Sequence, residues 1–196
     1  CFGSPVETLR HAAELDARHV SNVGHAALLA GGCVRDGLLG KEPKDFDRAT
    51  SARRDEVLAL FPGGDEVGAH FGVILVRESG HQFEIATFRS DGPYLDGRHP
   101  ESVTFTNAEE DAKRRDFSIN GLFENPLTGE VLDHVGGRAD LEAKIIRAIG
   151  DPKARFEEDS LRLLRAVRFA IRTGFEIDPA TWEAMKAHAS LLKRVS

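Results

Sequence analysis

The sequence has little that would cross-link it. Its two cysteines, Cys1 and Cys33, cannot make a disulfide framework, and a reducing compartment, the cytoplasm, is the expected setting. Eight histidines are scattered without the paired spacing of a zinc site. No apolar run approaches the ~20 residues that span a bilayer, so no membrane partner is expected. The opening CFGSPVETLRHAAEL lacks the basic-then-apolar order of a secretion signal, and because it starts on Cys1 the natural start is expected upstream. Repeats and low-complexity stretches are missing too.

What is present is ordinary globular material, 41% hydrophobic and 30% charged, with room for one domain and part of a second. The net charge of −6 hides an asymmetry. Residues 1–112 carry 11 basic against 19 acidic side chains; residues 113–196 carry 15 against 13. That is not the footprint of a strong non-specific nucleic-acid binder. It suits a cation site in the first half and anion-binding arginines in the second.

Apolar spacing at Val6, Leu9, Ala13 and Ala17 predicts a helix over 6–19. AALLA (26–30) reads as a buried strand, and CVRDGLL as a short helix stopped at Gly40. DFDRAT (45–50) is extended, and a helix around RRDEVLALF ends at Pro62-Gly63-Gly64. FGVILVRE and HQFEIATF are strands joined by a Ser79-Gly80 turn. Residues 90–102, SDGPYLDGRHPES, are turn-rich and expected to form a mobile loop. SINGLFEN and GEVLDHV predict a second hairpin; beyond residue 138 the pattern is helical, as RADLEAK, then FEEDSLRLLRAVRFAIRT, then PATWEAMKAHASLL. The expectation is an α+β head over residues 1–137 and an all-α neck over 138–196.

The chemistry gathers in GGCVRDGLLGKEPKDFD (31–47). Alternate side chains of a strand share a face, so Asp45 and Asp47 point one way and Phe46 the other. Carboxylates roughly 7 Å apart along a strand can converge on divalent ions, and oxygen ligands suit Mg²⁺. Glu84, in phase opposite Phe83 and Ile85, is the candidate third ligand. Three such acids would support two-metal catalysis, one ion activating a hydroxyl and the other holding a leaving pyrophosphate. An isolated Asp-x-Asp is more often an exposed strand end with solvated acids. Here Gly31 and Gly32 end a strand and start a helix, where bare amides could meet a triphosphate, and Arg35 adds a donor one turn on.

Gly-Gly followed by Asp-x-Asp resembles the signature of the polymerase-β-type nucleotidyltransferase superfamily. The fuller GGCVRDGLLGKEPKDFDRAT is similar to the first motif of bacterial-type (class II) tRNA CCA-adding enzymes and bacterial poly(A) polymerases. The resemblance implies Asp45 and Asp47 as metal ligands with Glu84 as third carboxylate, two Mg²⁺ ions during catalysis, and nucleotide contacts from Gly31, Gly32 and Arg35. It also implies a polymerase-β-like head followed by a helical neck.

KRRDFSINGLFENPLTGEVLDHVGG (113–137) resembles the family's second and third motifs. Arg114 and Arg115 offer phosphate donors; Asp116 and Asn120 can hydrogen-bond a ribose 2′-hydroxyl and so select ribonucleotides. A surface Arg-Arg beside an Asp helix cap reads equally well from the residues alone. Gly121 stands where the family commonly has Ala. Asp133 and Gly136-Gly137 fall at the head–neck junction, where they fit a hinge.

On a single helix, Leu161, Leu164, Val167 and Ile171 would form the apolar side of EEDSLRLLRAVRFAIR, with Glu158, Asp159, Arg162, Arg165, Arg168 and Arg172 on the other half. A salt-bridged, solvated face is the common reading of such a pattern. The family resemblance makes it EDxxR, a protein template for the incoming base. Cytosine and adenine each present an amine donor beside a ring-nitrogen acceptor, which Asp159 and Arg162 complement. Guanine and uracil present a carbonyl and a ring N–H, which would leave both side chains mismatched. Arg165 and Arg168 would reach phosphates or the RNA end; Ser160 replaces a frequent Pro.

The resemblance covers residues 26–172. It implies addition of CMP and AMP, from CTP and ATP, to the 3′ end of a tRNA or other RNA. Poly(A) tailing, CC-only or A-only addition, and a non-catalytic RNA- or nucleotide-binding module remain alternatives. The family's fifth motif and tRNA-gripping helical body would follow LLKRVS, so this stretch is expected to bind nucleotide and Mg²⁺ but to add nucleotides poorly on its own.

Overall fold

The computed structural model describes residues 5–67, 71–78 and 81–194. Its centre is a seven-stranded sheet in the order β3-β4-β5-β2-β1-β8-β9. The strands are β1 (Ala27–Ala30), β2 (Arg48–Thr50), β3 (Asp65–Glu66), β4 (Val73–Glu78), β5 (His81–Thr87), β8 (Leu122–Glu124) and β9 (Val131–Asp133). Only β2 and β5 run parallel; every other neighbour is antiparallel. The expected turn at Ser79-Gly80 and the side chain of Val6 lie outside the described residues.

Each face of the sheet is covered, and the strand period sorts the residues between them. On one face lie α1 (Pro5–Asn22), α2 (Gly32–Leu38) and α3 (Arg54–Leu60). They bury Ala13, Val34 and Val57 against Leu29, Phe46, Ile74 and Ile85. On the other face α4 (Ala108–Arg114) packs Ala112 against Leu28, Ala30, Ala49 and Phe123. Phe46 therefore belongs to the first face, and its neighbours in sequence to the second.

Residues 90–102 are more ordered than a mobile loop. A two-stranded ribbon, β6 (Arg89–Asp91) with β7 (Val103–Phe105), closes the stretch at its base, and a bridge pairs Tyr94 with Pro100. Turn-rich composition hid this ribbon, because strands this short carry almost no periodicity.

A 3₁₀ turn (Ser118–Asn120) leads from α4 to β8. After β9, Asp133 accepts backbone N–H bonds from Val135, Gly137 and Arg138 and starts α5 (Gly137–Ala143). Burial raises the Asp133 pKa, yet these amides outweigh it and hold the carboxyl below its ordinary value. A Cβ on Gly137 would come within 2.2 Å of Ser118 O. The junction is thus a close-packed cap.

The remaining chain forms β10 (Ile145–Ile146), α6 (Pro152–Glu158), α7 (Leu161–Thr173), β11 (Glu176–Ile177), α8 (Pro179–His188) and a 3₁₀ segment, Ala189–Arg194. Its core joins Phe156, Leu163, Ala166, Phe169, Phe175 and Met185 to Phe117 and Ile119. Two expectations are corrected here. The helix expected across 156–173 breaks at Asp159 and Ser160, where Asp159 turns extended (φ −138°, ψ 102°) and its Oδ1 accepts the Leu161 N–H. An Asp favours such a cap over a helix interior. The apolar side of α7 is also different. Leu163, 3% exposed, Ala166 and Phe169 pack inward, while Leu164, Val167 and Ile171 stand 46%, 41% and 79% exposed.

Candidate active site

Between the second sheet face, the 90–102 stretch and α7 lies a cleft of about 640 Å³. Gly31, Gly32, Arg35, Asp47, Arg114, Arg115, Asp116, Asn120, Asp159, Arg162, Arg165 and Arg168 line it. Asp45, Glu84 and Glu158 do not.

Gly31 caps α2 at φ 69°, where a Cβ would meet Arg115 Nη1 at 3.1 Å. Its own N–H goes to Leu122 O, so of the glycine pair only the Gly32 amide is free among the described residues. Asp45 and Asp47 precede β2, flanking the buried Phe46. Because β2 pairs with β5 at Arg48 and Ile85, Asp47 and Glu84 come side by side on the cleft face. The Asp47 pKa is raised, by burial first, then by the charges of Glu84 and Asp45; Arg115 and Arg48 partly offset this. Among the described residues, neither Asp45, Asp47 nor Glu84 forms an ion pair.

No three His, Cys, Asp or Glu side chains are drawn together as a ready metal cage among the described residues. Mg²⁺ does not ask for one, since it keeps waters and binds through one or two carboxylates plus substrate phosphates. The donor set, oxygen only and repelling within itself, fits that ion.

On the opposite wall Arg35, Asn120, Asp116 and Arg165 are paired with one another. Arg35, 3% exposed, donates to Asp36 and to Asn120 Oδ1, at 2.8 and 2.5 Å. Asn120 Nδ2 donates to Asp116 Oδ1 at 3.1 Å, and Arg165 Nε to Asp116 Oδ2 at 2.7 Å. Arg35 is therefore a buried tie, with three of its bonds spent inside the protein, and Arg165 is held on Asp116 where a free phosphate donor was expected. Asp111 likewise holds Arg114 and Arg115 at 3.0–3.1 Å.

Arg162 is buried. Its Nη1 donates to Arg155 O and Glu158 Oε2, and its Nη2 to Arg114 O. Glu158 thus supports Arg162 from behind. Asp159 does not pair with Arg162; its one side-chain bond among the described residues is the Leu161 cap. Both keep hydrogen-bonding capacity toward the cleft.

Sequence reasoning missed Phe71, Arg89, Asp91, Tyr94, Arg98, His99, Phe169 and Arg172, which also line the cleft. Tyr94 OH donates to Asp91 Oδ2 at 2.6 Å, and the Arg162 guanidinium lies 5.7 Å from the Tyr94 ring centroid. Burial, then the bond to Asp91, push the Tyr94 pKa up. A lone Tyr among arginines and histidines was the available signal; its ring partner, Arg162, was not legible. Ser160 N donates to Gly97 O, tying that stretch to the α6–α7 break.

Residues 27–147 match the family described as "Poly A polymerase head domain", and residues 174–196 the family described as "Probable RNA and SrmB- binding site of polymerase A". The chain is 45% identical over 180 residues to a CCA-adding enzyme of Geobacillus thermodenitrificans, covering 91% of this chain and 44% of that protein. The crystal structure of the Bacillus stearothermophilus CCA-adding enzyme in complex with CTP superposes with a TM-score of 0.86 at 38% identity, over 99% of this chain and 46% of that one. A tRNA nucleotidyltransferase complexed with a primer tRNA and an incoming ATP analog gives a TM-score of 0.71 at 30% identity, over 92% and 51%. The chain spans about half the length of the relatives it matches. With most of its length in the head-domain match, and with the same mixed sheet, it belongs to the poly A polymerase head-domain family of polymerase-β-like nucleotidyltransferases.

Proposed function

We propose that the cleft binds CTP or ATP and transfers the nucleotide to the 3′ end of a tRNA, as in CCA addition. The observation that carries this is a single cleft lined by Asp47, which forms no ion pair among the described residues, and by Asp159 and Arg162, which are unpaired with each other. Relatives named CCA-adding enzymes, and a related structure holding CTP, supply the substrate class.

The residues divide the work. Asp159 can accept from the exocyclic amine of cytosine or adenine, and Arg162 can donate to the adjacent ring nitrogen. Uracil or guanine would leave both unpaired, at ~1–3 kcal/mol each. Asn120 keeps one amide hydrogen and Asp116 Oδ2 one lone pair, a donor and an acceptor that together match a ribose 2′-hydroxyl. Arg114, Arg115 and Arg168 bring positive charge for the triphosphate and the RNA end. In the reaction the RNA 3′-oxygen bonds to the α-phosphorus while the α–β phosphoanhydride bond breaks and pyrophosphate leaves. Asp45, Asp47 and Glu84 would hold Mg²⁺, which when bound neutralises phosphate charge and favours the hydroxyl's ionised form. The head is assigned to residues 1–137 and the neck to 138–196.

Extension of a tRNA transcript lacking its 3′ CCA, resolved at single-nucleotide length, tests the reading. Two additions with CTP alone and a third only when ATP joins are expected, in low yield from this half-length chain. A long ATP ladder would make the activity poly(A) tailing, and no product even at saturating protein would favour a binding module.

A further inference from the structure

Phe169 lies on α7, 9% exposed, with its ring lining the cleft. Two guanidinium groups from distant parts of the chain lie over that ring. The Arg35 carbon is 5.1 Å from its centroid and the Arg165 carbon 5.3 Å. Both fall within the ~6 Å range of cation–π attraction. Phe117 meets the same ring edge-on at 6.0 Å, which fixes its tilt.

Each arginine holds one of the two side chains assigned above to the ribose. Arg35 Nη1 donates to Asn120 Oδ1, so the Asn120 amide must turn its nitrogen toward Asp116. Arg165 Nε donates to Asp116 Oδ2, which keeps a second lone pair, and Asp116 lines the cleft. Arg165 is half exposed and has no other ion pair among the described residues. We infer that Phe169 is a positioning residue for ribose recognition. Its π face seats Arg35 and Arg165 together, and through them sets the Asn120 donor and the Asp116 acceptor at one 2′-hydroxyl. The inference rests on the proposed nucleotide reading, and it assigns a role to a residue that touches no ligand atom in that reading.

An apolar side chain of similar bulk would fill the core equally well but would offer no π face. A purely structural role for Phe169 therefore predicts that both ligands weaken together when the ring is lost. A positioning role predicts that the ratio of CTP to dCTP affinity falls.

The experiment is competition binding of CTP and dCTP to the wild-type protein and to Phe169→Leu, Phe169→Met, Phe169→Tyr and Asn120→Ala. The expected result is wild-type preference for CTP of about tenfold or more, the scale of an unmatched buried polar group. That preference should fall to within about threefold of unity in the Leu and Met variants, remain in Tyr, and vanish in Asn120→Ala. Full preference in Leu or Met beside a discriminating wild type would overturn the positioning role alone. Failure of both to fold would assign the ring to the core and overturn it as well. Equal binding of CTP and dCTP by the wild type would instead remove the ribose assignment of Asp116 and Asn120, and the inference with it.

Discussion

Two sets of acids border the same cleft, and they differ in what they are tied to. Asp36, Asp111 and Asp116 lie within or just behind its walls, each bonded to at least one arginine at 2.7–3.1 Å. Asp45, Asp47 and Glu84, beside the central β2–β5 pair, form no ion pair among the described residues, and burial first, then the charges of Glu84 and Asp45, hold the Asp47 pKa above its ordinary value. A buried acid with its own arginine is already neutralised and serves to aim that arginine. Acids left to repel one another store an attraction for a cation that arrives from outside. The first set builds the site, and the second is available to the chemistry.

The largest effect should come from the unpaired set. Asp47→Asn is expected to lower nucleotide transfer on the order of 10³-fold, the scale of losing a principal transition-state contact. The same change should raise, not lower, the melting temperature at neutral pH. The sign follows from linkage. A folded-state pKa above the ordinary 3.8 means the folded protein is penalised once Asp47 ionises, so the penalty is complete above the raised pKa and absent below 3.8. Melting curves of wild type and Asp47→Asn should converge as pH falls through that window. A variant less stable than wild type at neutral pH would break the contrast.

Asp111→Ala should do the reverse. It strips Arg114 and Arg115 of their shared partner and the Arg89 N–H of its acceptor, which should cost about 3 kcal/mol in urea unfolding. An unchanged midpoint would show that these pairs do not hold the wall. Arg162→Met should reduce the preference for CTP and ATP over UTP and GTP by about tenfold, and it should destabilise the protein because Glu158 loses one of its two arginine partners and the Arg155 and Arg114 carbonyls lose a donor. A contrast in stability alone separates the two stripes of α7. Leu163→Ala should cost ~2–5 kcal/mol, whereas Leu164→Ala should stay within ~0.5.

That last pair marks where the sequence was hard to read. The α7 helix carries two apolar stripes, and the one made of larger residues, Leu164, Val167 and Ile171, looked the better core. The actual core side includes Ala166 and Phe169, chosen because Phe156 from α6, Phe175 from the turn before β11 and Met185 from α8 close over them. No local pattern reports that. The break at Asp159 was equally hidden, because the helical charge pattern runs on through Glu-Glu-Asp-Ser and outweighed the Asp preference for a cap. By contrast, the head elements were legible where period and punctuation agreed: AALLA before Gly31-Gly32, the alternation through Phe46, and the paired strands around residue 80. Most of the candidate site was legible as motifs. What the motifs did not contain was their mutual bonding, such as Arg35 on Asn120 and Arg165 on Asp116, since residues so far apart in sequence meet only in the fold.

In the proposed reading, one cleft joins a base-reading wall to the Asp47 carboxylate, which has no ion pair among the described residues. Equilibrium competition among CTP, ATP, UTP and GTP for the protein in Mg²⁺ tests it most directly. CTP and ATP should bind comparably and UTP and GTP about tenfold or more weakly, with the discrimination lost in Asp159→Ala. Four nucleotides bound alike, or discrimination that survives in Asp159→Ala, would contradict it.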